Sequence, residues 1–373
     1  MSVVANPKKK PYAIIAITKH GVEMARKLLR DLPGSDLYYM SKFTQGDEEE
    51  KGIRTFEGSV RLLFPDFFRE YTGLIVFISL GAVVRMIAPV LKDKKVDPAV
   101  VVIDDRGDHA ISVLSGHLGG ANELTREVAR LIGANPVITT ASDVQQTIPV
   151  DLFGRSFGWE LDSFEKATPV SASVVNEEEI AVIQEVGERN WWQYPDKPIP
   201  PQIKSYDSFA AAWDATFQAA LVVTHRLLTP EETVRFLGNG VVYRPKTIVI
   251  GIGCNRGTSA AEIESVITET LLEQKLSIKS VRTLATINIK ADEEGLLAVC
   301  EKYGWPLETY TPDELNEMPM SEKSDTVFRF TGAYGVSEPA ALRAAQADKP
   351  LLTKKKSGNV TISLAIWQGE GTR

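Results

Sequence analysis

Between Ala13 and Thr140, short β-branched apolar runs alternate with stretches whose apolar positions recur at helical spacing. That alternation is the signature of βα units feeding a mostly parallel sheet. It predicts strands at residues 13–18, 36–40, 74–79, 100–104, 109–113 and 136–139. A helix is expected after Gly119 and Gly120, where Leu124, Val128 and Leu131 recur at spacings of four and three and Gly133 takes the place of a left-handed C′ residue. From Asp151 to about Arg244 the character changes, with an acidic run at Glu177 to Glu179, the pair Trp191 and Trp192, and a loop rich in proline at Pro195, Pro198, Pro200 and Pro201. We read a small α/β module whose tryptophans pin the loop. A new βα pattern opens at Thr247, with a buried strand at 247–252 and Ser259-x-x-Glu262 as a capping box for the helix that follows. Further strands are expected near 281–289 and 360–366, and helices near 293–303 and 338–345.

The fold class expected is α/β, with three-layer βα units and mostly parallel sheets in an N-terminal domain (1–147) and a C-terminal domain (245–373), joined by a small α/β middle module (148–244). A chain of 373 residues is long enough for two or three such domains.

Composition narrows the function classes. Lys+Arg 42 against Asp+Glu 49 gives a net charge of −7, which offers no global positive field to nucleic acid or an anionic membrane. An acidic ligand must be met by a local basic site. Cys254 and Cys300 stand far apart, which excludes a disulfide framework, a zinc ribbon and a thioredoxin-type centre. The N-terminal apolar run 12–17 is too short for a signal peptide, and Arg85 interrupts the longest apolar stretch, 73–91, so a cytoplasmic protein is expected.

Phosphate-loop, nucleophile-elbow and zinc-protease motifs are absent from the sequence. The run Gly251-Ile-Gly253-Cys254-Asn-Arg256-Gly257 approaches a dinucleotide fingerprint but has three residues between its second and third glycines where that motif has two. Its glycines and Arg256 would still suit a carboxylate or a phosphate. His117 stands in the glycine-rich turn Ser115-Gly-His-Leu-Gly-Gly120 at the mouth of a helix, where it either caps turn carbonyls or acts in chemistry. Asp104 and Asp105 end a strand upstream and could orient the imidazole. Lys19 and His20, Gly81 and Arg85, and Thr139, Thr140, Ser142 and Asp143 each follow a predicted strand, where α/β ligands bind. Taken together they form one expected crevice.

The segments LGAVVR (80–85), DDRGDHAISVLSGHLGGANEL (104–124), TTASDV (139–144), GIGCNRGTSAAEI (251–263) and GVSEPAAL (335–342) resemble the cobalamin biosynthesis protein CbiG family, the cobalt-precorrin 5A hydrolases. The C-terminal part also resembles the stand-alone protein CobE. The resemblance implies opening of the δ-lactone of cobalt-precorrin 5A and release of acetaldehyde to give cobalt-precorrin 5B. It implies no cofactor, since cobalt arrives in the substrate, and the protein need supply no metal ligands, with an axial imidazole from His20 or His117 left open. The implied partner is the acidic tetrapyrrole, with transient contact with neighbouring pathway enzymes left open.

On that chemistry His117 is assigned as general base, Asp105 as its orienting carboxylate, and the amides of Gly119 and Gly120 as oxyanion donors. Lys19, His20, Arg85, Thr140, Ser142, Asp143, Cys254, Arg256 and Thr258 are expected to bind substrate, with Lys19, Arg85 and Arg256 as carboxylate clamps. The macrocycle is expected between the terminal domains. A non-catalytic tetrapyrrole carrier is the alternative, and a nucleotide-dependent oxidoreductase built on the Gly251 turn is a second competitor.

Overall fold

The computed structural model describes residues 9–368. Residues 1–8, which begin the segment read above as lacking a signal peptide, and residues 369–373 lie outside the described residues. The chain divides into two compact units, with the boundary between Leu152 and Phe153.

The first unit carries a seven-stranded sheet built from β1 (Lys10–Ala16), β2 (Asp36–Met40), β3 (Arg54–Phe56), β4 (Tyr71–Phe77), β5 (Ala99–Ile103), β6 (His109–Leu114) and β7 (Asn135–Val137), in the order β3-β2-β1-β4-β5-β6-β7. Successive residues of β1 face opposite layers. Ile14 packs with Val22, Leu28 and Val128, from helices α1 (Lys19–Asp31) on one hand and Ala121–Ile132 on the other, while Ile15 packs with Phe64, Phe67 and Val83. Burial on both faces explains why the central strands read as continuous apolar runs. Every pairing is parallel except β5 with β6. Only residues 104–108 join those two strands, too few for a crossover, so the chain must turn straight back. The helix after Gly120 ends at Gly133 in the left-handed region, φ 73°, as the sequence pattern requires.

The second unit carries two five-stranded sheets. The first contains β8 (Glu160–Leu161), β9 (Ile180–Gln184), β10 (Ile203–Tyr206), β11 (Ala219–Val223) and β12 (Gly240–Arg244), ordered β10-β9-β11-β12-β8 with only β8 antiparallel. Trp191 donates to Gln184 Oε1 at 3.0 Å and Trp192 to the Lys197 carbonyl at 2.6 Å, so the tryptophans do fasten the proline-rich loop. The second contains β13 (Ile248–Cys254), β14 (Val281–Ile287), β15 (Leu307–Tyr310), β16 (Leu352–Ser357) and β17 (Val360–Ile366), ordered β15-β14-β13-β17-β16. Here β13, β14 and β15 run parallel, and β17 and β16 return as an antiparallel pair.

Two local expectations change. Ser259 accepts from the Glu262 amide at 3.2 Å, but the Glu262 carboxylate turns away to the Asn359 amide at 2.8 Å, so the expected capping box is half formed. Gly251 is required by packing rather than by a phosphate, because a Cβ there would lie 1.8 Å from the Ser337 carbonyl oxygen at the start of helix Ser337–Ala345.

Candidate active site

The reversal at β6 decides where each chemical group sits. The carboxyl ends of β1, β4 and β5 share one edge of the first sheet, whereas those of β6 and β7 lie at the other. The single expected crevice therefore divides in two. Lys19, His20, Arg85, Asp104 and Asp105 follow β1, β4 and β5; His117, Gly119, Gly120, Thr140, Ser142 and Asp143 follow β6 and β7.

At the first edge Asp105 bonds the Thr18 hydroxyl and lies 3.3 Å from His20 Nδ1. It does not orient His117, which corrects the sequence-based pairing. Asp104 accepts from the amides of Arg106 and His109 in the hairpin turn. Lys19 is exposed, and Arg85, also exposed, donates to the Gly81 carbonyl at 3.1 Å.

At the second edge His117 is enclosed by acids. Its Nε2 is 3.0 Å from Asp143 Oδ2 and its Nδ1 is 3.0 Å from Asp151 Oδ1. Ser142 Oγ lies 3.0 Å from the same Nε2. Asp143 is held in turn by Asn122 Nδ2 at 2.9 Å and by Arg126. Asn122 also donates to the Thr140 hydroxyl at 2.9 Å and accepts from Ser112 at 2.7 Å. The imidazole side chain is only 18% exposed, with Asp143 at 16% and Asp151 at 14%.

Burial works to lower the pKa of His117, but the hydrogen bonds and charges of Asp143 and Asp151 outweigh it and raise the value to about 9. Burial opposes ionisation of Asp143 too, yet the bonds from His117 and Arg126 lower its pKa to about 2. The ring is thus an imidazolium at neutral pH with both nitrogens bonded. A general base must begin unprotonated, so an imidazole raised in pKa between two carboxylates suits the role of acid better than the base read from the sequence.

The turn itself is tightly determined. The Gly120 amide donates to the His117 carbonyl at 2.9 Å, which removes it as an oxyanion donor. A Cβ on Gly119 would lie 2.3 Å from Ser115 Cβ, and Ser115 itself has φ 58°. Asp151 is the residue sequence reasoning missed, since it was assigned to the middle module and lay outside every motif.

In the second unit, Cys254 and Arg256 line a cavity of about 580 Å³ beside β13, walled by Ile287, Val327 and Phe330. Burial pushes the Cys254 thiol up. Arg256 is already engaged, donating to Asp292 Oδ1 at 2.7 Å and the Ile289 carbonyl at 3.1 Å. Thr258 is buried, donates to the Asn255 carbonyl at 2.8 Å, and lies outside that cavity's wall. Among the described residues, no group of three or more His, Cys, Asp or Glu side chains is placed to hold a metal ion. No helix among them is long and apolar enough to cross a membrane.

Three family patterns match the chain in order: cobalamin synthesis G N-terminal at 63–143, the cobalamin biosynthesis central region at 148–245 and cobalamin synthesis G C-terminus at 248–365. The chain belongs to the cobalamin synthesis G family. Within it, a protein of Priestia megaterium named cobalt-precorrin-5A hydrolase is 65% identical over 95% of this chain and 94% of its own length. A protein of the same name from Salmonella typhimurium is 32% identical over 96% of this chain and 98% of its own. The protein CobE of a Sinorhizobium species is 30% identical over 32% of this chain and 79% of its own. The family match thus covers the unit holding the His117 cluster and the one holding the Cys254 cavity.

Proposed function

We propose that the chain acts in the cytoplasm, opens the δ-lactone of cobalt-precorrin-5A at the His117 cluster and releases acetaldehyde, giving cobalt-precorrin-5B. The chain is an enzyme of cobalamin biosynthesis, a hydrolase. The observation that carries the reading is the 65% identity, over 95% of the chain, to the Priestia megaterium hydrolase.

The cluster supplies an acid and a base side by side. Asp143 accepts from three side chains and is too weakly basic to serve. Asp151, held by His117, takes a proton from water as the water oxygen adds to the lactone carbonyl carbon. The His117 imidazolium stabilises the negative charge on the resulting oxyanion and protonates the ring oxygen as the acyl C–O bond breaks, leaving a carboxylic acid and a free hydroxyl. In the second step that hydroxyl loses its proton to the cluster and its C–O becomes C=O. The adjacent C–C bond breaks, and its electron pair passes into the conjugated macrocycle as acetaldehyde leaves. Cobalt is carried by the substrate and needs no ligand from this cluster.

The test incubates the purified full chain with cobalt-precorrin-5A and traps the aldehyde as a hydrazone. One equivalent of acetaldehyde without added nucleotide, metal or redox cofactor is expected. Substrate binding without aldehyde, as a carrier would show, or a strict requirement for NAD(P) or ATP would overturn the reading.

A further inference from the structure

A cavity of about 660 Å³ opens at the amino ends of β4 and β5, the edge to which the reversal of β6 brings the His117 turn. Leu118 and Gly119, the two residues after His117, form part of its wall. Lys9, Arg69, Lys92 and Lys95 also line it, against one acid, Asp97. Asp97 is buried, and its carboxylate accepts the Lys92 backbone N–H at 2.9 and 3.2 Å, so its position is fixed by the loop. Between the cations the wall is apolar, with Phe68 and Val90. The volume lies within the roughly 300–1,000 Å³ typical of small-molecule sites.

We propose that this basic cavity receives carboxylate side arms of the tetrapyrrole substrate and so seats the macrocycle beside the His117 turn. The inference rests on the hydrolase reading and names where its substrate binds. Cations from three segments of chain around an apolar wall match a ring whose rim carries acetates and propionates. Burial and the neighbouring Lys92 charge both disfavour the Lys9 ammonium, with Asp97 acting in the opposite sense, and a bound carboxylate would relieve the repulsion. Arg69 and Lys92 are exposed at the rim. Arg69 pairs at 2.6 Å with Asp66, itself exposed, a pairing that an incoming carboxylate can replace.

The test uses equilibrium dialysis of the full chain against cobyrinic acid, a stable corrin polycarboxylate, read by corrin absorbance. The double variant Arg69→Gln/Lys92→Gln should raise Kd by about tenfold or more, the effect of losing charge-assisted contacts. Salt at 0.5 M should weaken wild-type binding in the same direction. With cobalt-precorrin-5A the variant should raise KM and keep most of kcat. Lys302→Gln, at an exposed ion pair with Glu264 in the other unit, serves as the control and should change neither. An unchanged Kd in the double variant overturns the seat, whatever the turnover. Weakened binding in the variant, with no aldehyde from either protein, overturns the hydrolysis and leaves the seat standing.

Discussion

Asp151 Oδ1 approaches His117 Nδ1 at 3.0 Å, on the ring nitrogen opposite the one that meets Asp143. The imidazolium is therefore bridged by two carboxylates of unequal character. Asp143 is fixed by Asn122 and Arg126, whereas Asp151 is tied to the ring. We expect Asp151→Asn to lower kcat by about a hundredfold to ten-thousandfold with little change in corrinoid binding, the usual contribution of a positioned base. Single-turnover acetaldehyde release on a dialysis-saturated enzyme measures this; full activity in the variant removes Asp151 from the chemistry.

His117→Ala should cost both turnover and stability. Removing the cation leaves two mostly buried carboxylates facing a void, and breaking such a pair costs about 3–5 kcal/mol. His117→Gln keeps a donor for one carboxylate and should recover part of the thermal midpoint but none of the rate. Measuring both quantities on the same preparations separates a proton-transfer role from a purely structural one.

Much of the fold could be read from periodicity, because β1, β4, β5 and β17 are largely buried runs close to their expected positions and the helix ending at Gly133 has both its stripe and its stop. Strand direction is not written in periodicity. The reversal of β6 followed only from the shortness of residues 104–108, a signal present in the sequence but outweighed by the parallel pattern around it. That one reversal moved His117 away from Asp105, and because β7 runs parallel to β6 it carried Asp143 along with the imidazole. Asp143 and Ser142 were named as site residues by their position after a strand, but their role as partners of His117 depends on tertiary contact. Asp151 lacked even a positional cue, since it lies beyond the last predicted strand of its unit.

Gly251→Ala should destabilise the second unit severely, by more than about 3 kcal/mol, since the added methyl would meet backbone at 1.8 Å from Ser337 and 2.7 Å from Ala341. Gly257→Ala, at φ 76° with open space around its Cβ position, should cost only about 1 kcal/mol. Urea titrations of the two variants compare these costs. Equal losses would mean that helix Ser337–Ala345 shifts easily and that Gly251 is not fixed by packing.

Arg256→Ala should leave the thermal midpoint almost unchanged, because the guanidinium and its Asp292 partner are 62% and 76% exposed. If Arg256 also clamps a substrate carboxylate, Kd for cobyrinic acid rises while kcat holds. A midpoint that falls sharply assigns the arginine to structure through Asp292 and Glu293, and an unchanged Kd removes it from binding.

The pH dependence distinguishes an acid from a base at His117. Its folded pKa of about 9 lies above the ordinary 6.5, so its stabilising contribution is complete below pH 6.5 and is lost as pH rises through 9. A shift of that size corresponds to a contribution on the order of 3 kcal/mol. Asp143 has the opposite sign: depressed to about 2 from 3.8, it stabilises above pH 3.8 and ceases to do so as pH falls through 2. Urea midpoints for the wild type should therefore decline between pH 6.5 and 9, and His117→Gln should flatten that decline. The rate should follow the same limb, falling on the alkaline side near pH 9 as the imidazolium loses its proton. A rate that instead rises through pH 6 to 7 and stays high at pH 10 would return the neutral imidazole to the role of base, and would require that substrate binding displace Asp143 or Asp151 from the ring.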